Sequence, residues 1–194
     1  DAYTAALIRH LEEVAPRCDA HTVDTVYFGG GTPSYLGEKR LTRLLKTVKK
    51  RFHVSPQAEI TLEANPDSAG DWKALRNLQR AGFNRLSLGV QAADDDLLRR
   101  IGRIHTWEQV LEAVAAARMA KLENLSLDLI YGLPGQTMAA WQETLRAAAA
   151  LEPQHISCYG LKLEEGTPLW QQRDTLPLPD DDAQADMYLW TVSY

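Results

Sequence analysis

Apolar residues along the chain follow two alternating rhythms. In one, apolar positions recur three and four apart: Leu7, Ile8, Leu11 and Val14; Leu41, Leu44, Leu45, Val48 and Phe52; Trp72, Leu75 and Leu78. Such spacings gather side chains on one face of a helix. Thr106 and Gln109 form a capping box ahead of Val110, Leu111 and Val114; Thr137 caps a helix through Trp141 and Leu145; and Asp180 or Asp181 caps another after Pro179. The other rhythm consists of short strand-like runs, "TVYF", "AEITLE", "RLSLGV", "LSLDLIY" and "HISCYGLKL", beginning near positions 25, 58, 85, 125 and 155. Strands alternating with helices at this spacing predict right-handed βαβ units and hence an α/β fold. The expected form is an open, curved sheet of five parallel strands with helices on its outer face. The strands alternate partly between polar and apolar residues, as expected when one sheet face lines a polar lumen.

Each strand runs into a distinctive segment: "GGGTP", "EANPDS", "GVQ", "DLIYGLPGQT" and "KLEEGTP". In parallel α/β folds and βα barrels the C-terminal strand ends build the site, so these segments are expected to share one mouth. The glycine turn lacks the third glycine of a dinucleotide fingerprint, where Ser34 stands, and the Lys of a Walker loop. Pro33 also removes a backbone donor. What the glycines offer is close approach of backbone to an ammonium or carboxylate.

Glu63 ends the second strand, Gln91 follows Gly89 and Val90, and Asp128 interrupts an apolar run where an unpaired carboxylate would be costly. Arg103 shares helical spacing with Arg99 and Arg100, which reads as a solvated basic face, but Gly102 and the downstream capping box imply a helix break that frees it. Glu63 can take an ammonium, Arg103 a carboxylate in bidentate fashion, and Gln91 and Asp128 the hydroxyls of a ribose. The set describes a nucleoside bearing an amino acid.

Other groups read structurally. Asp94–Asp96 and Asp180–Asp182 precede helices and read as caps. The five histidines show no metal-ligand pair, and the tryptophans fall mostly at apolar helical positions that read as core. Two cysteines, Cys18 and Cys158, supply neither a disulfide framework nor enough ligands for a zinc or iron–sulfur site. Net charge is −5, which argues against a nucleic-acid surface, and the basic run Lys46–Arg51 suits a helix C-terminus. No apolar run approaches the ~20 residues of a membrane span, and no signal segment opens the chain. A reduced, cytoplasmic setting is expected.

The motifs "VYFGGGTPSYL", "EITLEANPDS", "RLSLGVQ", "LLRRIGRIHT", "LSLDLIYGLPGQT" and "SCYGLKLEEGTPL" stand in an order and spacing that resembles the radical SAM proteins related to oxygen-independent coproporphyrinogen III oxidase. The resemblance covers nearly the whole chain. It implies a partial (β/α)6 barrel binding S-adenosylmethionine against a 4Fe-4S cluster. By motif, Gly30, Gly31 and Thr32 would meet the methionine amino group, with Glu63 close by. Arg103 would hold the carboxylate, and Gln91 and Asp128 the ribose. Ile130 would lie against the adenine, with the strand around Leu161 and Lys162 opposite. The family's CxxxCxxC cluster loop has no counterpart here. Residues 1–194 are therefore expected to be a core-domain fragment, without the first barrel strand, the cluster ligands and the C-terminal domain, and the ends look cut.

Within the family, "EANPDS", "GRIHT" and "YGLKLEEGTPL" resemble the HemW-type heme chaperone branch. That branch implies heme as ligand and an unknown protein as its acceptor, with membrane association only through a partner. The other branch implies a coproporphyrinogen-oxidising enzyme acting on a porphyrinogen. From another class, a cluster-free α/β barrel lyase or isomerase could use Asp128 and Glu63 as an acid–base pair, although no lysine or histidine at a strand end partners them. A non-catalytic ligand-binding barrel is the third reading.

Overall fold

The computed structural model describes residues 1–194. The chain runs α1 (Ala2–Val14), β1 (Thr22–Phe28), α2 (Glu38–Arg51), β2 (His53–Ala64), α3 (Trp72–Ala81), β3 (Arg85–Gln91), α4 (Asp95–Arg100), α5 (Trp107–Met119), β4 (Asn124–Tyr131), α6 (Met138–Ala149), β5 (His155–Gly160), α7 (Pro168–Gln171) and α8 (Asp181–Ser193). The five strands pair in parallel, in sequence order β1-β2-β3-β4-β5. The sheet curls into a half-barrel, as the alternation of strands and helices predicts.

The alternation has a simple cause. Ile60, Leu62, Leu86, Leu88, Leu125, Leu127 and Leu129 are buried beneath the helices, against Leu41, Leu45, Leu75, Leu78, Val110 and Trp141. Intervening positions on the concave side carry Glu63, Arg85, Ser87, Gly89, Asp128 and Ser157, which line a cavity. Period-two alternation thus separates an oily outer layer from a polar lumen. Pairing of β1 with β2 skips from Val23↔Val54 to Thr25↔Glu59; the skipped stretch contains Pro56, which cannot donate to a ladder.

Caps set the helix starts. Thr106 and Gln109 satisfy each other's backbone N–H groups in a complete capping box, and Asp71, Asp94, Thr137 and Asp180 accept from the first-turn amides of their helices. Asp95 accepts from the Trp107 N–H at 2.8 Å, fixing α5 to the start of α4. The basic end of α2 also works beyond its own dipole, since Lys49 donates to the Ala81 carbonyl at the end of α3. Trp141 is the tryptophan that is fully buried, whereas Trp72 is 39% exposed, so the core reading of the tryptophans does not extend to it. A small second cluster of Ala92, Leu97, Leu98 and Leu133, flanked by Ile101, Ile130 and Leu161, seats α4 and the loop beyond it.

Candidate functional site

The strand ends of the half-barrel enclose a cavity of about 570 Å³ lined by Gly31, Thr32, Glu63, Gln91, Arg103, Asp128 and Ile130, among others. Seven residues singled out by sequence therefore meet in one place. Gly30 stands at the back of the same turn: it borders a neighbouring apolar cavity, while its N–H donates to Glu63 Oε2 at 3.1 Å. Lys162 is elsewhere. β5 ends at Gly160, and the exposed Lys162 ammonium pairs with Glu164 at 2.8 Å in an adjoining cavity of about 620 Å³ that shares only Ile130 and Arg103 with the first.

Backbone conformation builds the turn. Gly30 and Gly31 have φ of 83° and 64°, and a Cβ at either would meet nothing within 4 Å, so the requirement for glycine is conformational. Thr32 Oγ1 accepts from Asn65 Nδ2 at 3.3 Å, and Asn65 Oδ1 accepts in turn from Arg103 at 3.4 Å. Asn65 thus joins the glycine turn to the arginine.

Arg103 reaches the cavity because α4 stops. Gly102 takes φ of 74°, and the Arg103 N–H bonds back to the Leu98 carbonyl at 2.9 Å, closing the helix in a Schellman motif. The half-buried guanidinium is held below the ordinary arginine pKa by desolvation, with the Asp67 carboxylate opposing. Arg100 is exposed, as expected, but it also donates to the Pro134 carbonyl at 2.9 Å and so ties α4 to the loop after β4. Arg99 pairs with Asp96 and is exposed, as is Arg100, which leaves Arg103 as the partly buried member of the trio.

Gln91 sits just past a bulge, where Gly89 pairs with Asp128 and Gln91 with Leu129, and its φ is 68°. Its amide folds over Gly89, where an added Cβ would lie 2.8 Å from Gln91 Nε2 and 3.1 Å from Asn65 Oδ1. Asp128 faces the lumen rather than the apolar layer and accepts from Ser87 Oγ at 3.0 Å. That position avoids the burial cost implied by its apolar neighbours in sequence.

His105 lies behind this wall. It is 3% exposed, with Nε2 3.1 Å from the Val90 carbonyl. Desolvation lowers its pKa below the ordinary 6.5, the Val90 hydrogen bond opposing. A depressed histidine means that the unfolded chain binds the extra proton, so stability is fully present above pH 6.5 and is lost as pH falls. The parent protein should lose up to about 1.4 kcal/mol per pH unit on this account. Chemical denaturation between pH 7.5 and 5 should show a flatter acid limb for His105→Gln; parallel curves would refute this.

Residues missed from sequence also line the cavity: Tyr27, Asn65, Arg85, Ser87, Ser157 and Tyr159. The period-two face shared by Arg85, Ser87 and Gly89 was the available signal. No three His, Cys, Asp or Glu side chains gather to hold a metal ion. The half-buried Cys158 thiol is pushed up to about 11 by burial, which disfavours the thiolate a metal requires. The cavity thus presents carboxylates, a guanidinium and side-chain amides to an occupant, and neither cysteine is among its lining residues.

Residues 3–148 match the Radical SAM superfamily, and the chain belongs to it. The family uses S-adenosylmethionine and a 4Fe-4S cluster. Among curated proteins, the chain is 44% identical to a heme chaperone HemW from Synechocystis over 96% of its own length and 45% of the relative's. It is 38% identical to the heme chaperone HemW of Escherichia coli, covering 97% and 49% respectively. Its fold superimposes on the structure of the E. coli coproporphyrinogen III oxidase HemN, a radical SAM enzyme, with a TM-score of 0.87 and 30% identity, over 100% of this chain and 44% of that one. These likenesses are consistent with the HemW-type branch of the oxidase-like family. The chain spans about half the length of the curated relatives it matches. No helix is long and apolar enough to cross a membrane.

Proposed function

We propose that the protein is a heme chaperone of the HemW type, binding S-adenosylmethionine in the half-barrel and handing heme to an acceptor protein. One observation carries the cofactor part of this reading. Glu63, Gln91, Arg103, Asp128 and the Gly31–Thr32 backbone, drawn from four strand ends and a helix break, face a single cavity. The lining thus offers carboxylates and a guanidinium together, the charges a zwitterion requires. In this reading the Gly30–Thr32 backbone and Glu63 receive the methionine ammonium, Arg103 takes its carboxylate, and Gln91 and Asp128 take the ribose hydroxyls. Ile130 supplies an apolar wall for the adenine, and Lys162 would approach from the adjoining cavity.

Each group does a distinct job. Asn65 steadies both the glycine turn and Arg103, so the two ends of the methionine moiety would be fixed by one side chain. Ser87 orients the Asp128 carboxylate toward the lumen. We assign no cluster ligand to this chain. The heme part rests on the identity with HemW proteins, which exceeds the 30% shared with the oxidase.

The test is anaerobic iron–sulfur reconstitution of the full-length protein, followed by separate titrations with S-adenosylmethionine and with heme. Saturable binding of both ligands, without oxidation of coproporphyrinogen, is the expected result. Turnover of coproporphyrinogen would move the protein to the oxidase branch. Absence of S-adenosylmethionine binding would sink the site assignment.

A further inference from the structure

Something must fix the Glu63 carboxylate before a ligand arrives, and the structure shows what does. Both of its oxygens accept from within the protein: Oε1 from the Tyr27 hydroxyl at 2.6 Å and Oε2 from the Gly30 N–H at 3.1 Å. Tyr27 belongs to β1, the edge strand, and its ring stands between the nucleoside-sized cavity and the apolar cavity behind it.

Gly29 is the element that permits this contact. It does not have a positive φ, so its backbone would accept alanine. What is missing is room: an added Cβ would lie 2.5 Å and 2.9 Å from two atoms of the Tyr27 ring and 3.1 Å from the Glu63 carboxyl carbon. The three glycines therefore divide their work. Gly30 and Gly31 supply a turn, and Gly29 supplies a gap through which the Tyr27 ring lies flat against the strand end.

We infer that Tyr27 is a positioning residue that acts through Glu63, holding its carboxylate so that the remaining lone pairs face the cavity, and that Gly29 is the vacancy required for this. The inference rests on the reading that Glu63 receives the methionine ammonium. A carboxylate on a two-carbon stem samples several rotamers, and a hydroxyl and an amide acting together leave it one. The phenol also remains a donor: the residue is 58% exposed, but partial desolvation of the hydroxyl, reinforced by the hydrogen bond to Glu63, raises its pKa above the ordinary 10.0.

The experiment uses the full-length, iron–sulfur-reconstituted protein and measures the S-adenosylmethionine dissociation constant and the unfolding midpoint of each variant. Tyr27→Phe keeps the ring and removes the donor; it should weaken binding about three- to tenfold, the span of one ordinary hydrogen bond, with an unchanged midpoint. Gly29→Ala should weaken binding to a similar degree by displacing the ring. In a Glu63→Gln background, which is itself weakened, adding Tyr27→Phe should have little further effect, because the group it positions is gone. Full additivity of the two changes would overturn the inference, as would a Tyr27→Phe affinity equal to the parent's while Glu63→Gln binds weakly. A loss of affinity matched by an equal loss of folding stability would make Tyr27 a structural residue and overturn it too. If Glu63→Gln binds as the parent does, it is the assignment of Glu63 to the ammonium that fails, and the inference falls with it.

Discussion

Trp141→Ala is expected to destabilise the fold by about 3–5 kcal/mol, the range for removing a fully buried aromatic. No part of this residue is exposed. Its indole packs against the Tyr131 ring with centroids 5.6 Å apart, and its N–H donates to Thr191 Oγ1 at 2.8 Å and to the Met187 carbonyl at 3.2 Å. One side chain thus ties α6 and α8 to the end of β4. Truncation would leave a cavity that three separate elements would have to close. Trp141→Phe retains most of the buried area and loses the donor. Thr191 keeps its own bond to the Met187 carbonyl at 2.7 Å, so no orphaned group remains there, and the cost should be nearer 1–2 kcal/mol. Urea unfolding followed by circular dichroism separates the two variants. Equal costs would mean that the hydrogen bonds, not the packing, dominate.

What sequence revealed and what it concealed divide along a physical line. Periodic apolar positions and capping side chains act over three or four residues, so the βα alternation and the Thr106–Gln109 box could be read directly, and so could the break at Gly102. The convergence of strand ends followed from parallel topology alone. Contacts set by strand register were hidden. Tyr27 meets Glu63 only because β1 and β2 pair as Tyr27↔Thr61 and Phe28↔Leu62 after a skipped stretch, and no local pattern announces that skip. Asn65 carries no local signal of its role, since its two partners, Thr32 and Arg103, are remote in sequence. The strand expected to carry Lys162 ends early: the Leu161 N–H makes a last bond to the Tyr131 carbonyl, beyond which the chain leaves the sheet. Arg100 and Arg103 are equally basic and almost adjacent. Only the three-dimensional course of the helix end separates their tasks.

That separation makes Arg103 the sharpest test of the site. A guanidinium that has lost part of its hydration, and whose only side-chain bond is a long one of 3.4 Å to Asn65, has donors left for a ligand carboxylate. If it holds the methionine carboxylate, Arg103→Ala in the full-length protein should weaken S-adenosylmethionine binding by about 1.5–3 kcal/mol, the worth of hydrogen bonds to a charged group. Arg103→Lys should recover only part of this, because a point charge cannot reproduce a planar fork. Arg99→Ala is the appropriate control, being exposed and paired only within its own helix; its effect should lie within about 0.5 kcal/mol. Arg100→Ala should show a third behaviour. Losing the bond to the Pro134 carbonyl should loosen the loop after β4 and lower stability by roughly 0.5–1.5 kcal/mol, with affinity affected less than stability. Titration calorimetry read beside thermal unfolding distinguishes the three. An Arg103→Ala variant that binds like the parent, or one whose deficit Arg99→Ala reproduces, would return this arginine to the surface and leave the ligand's carboxylate without a partner on this wall.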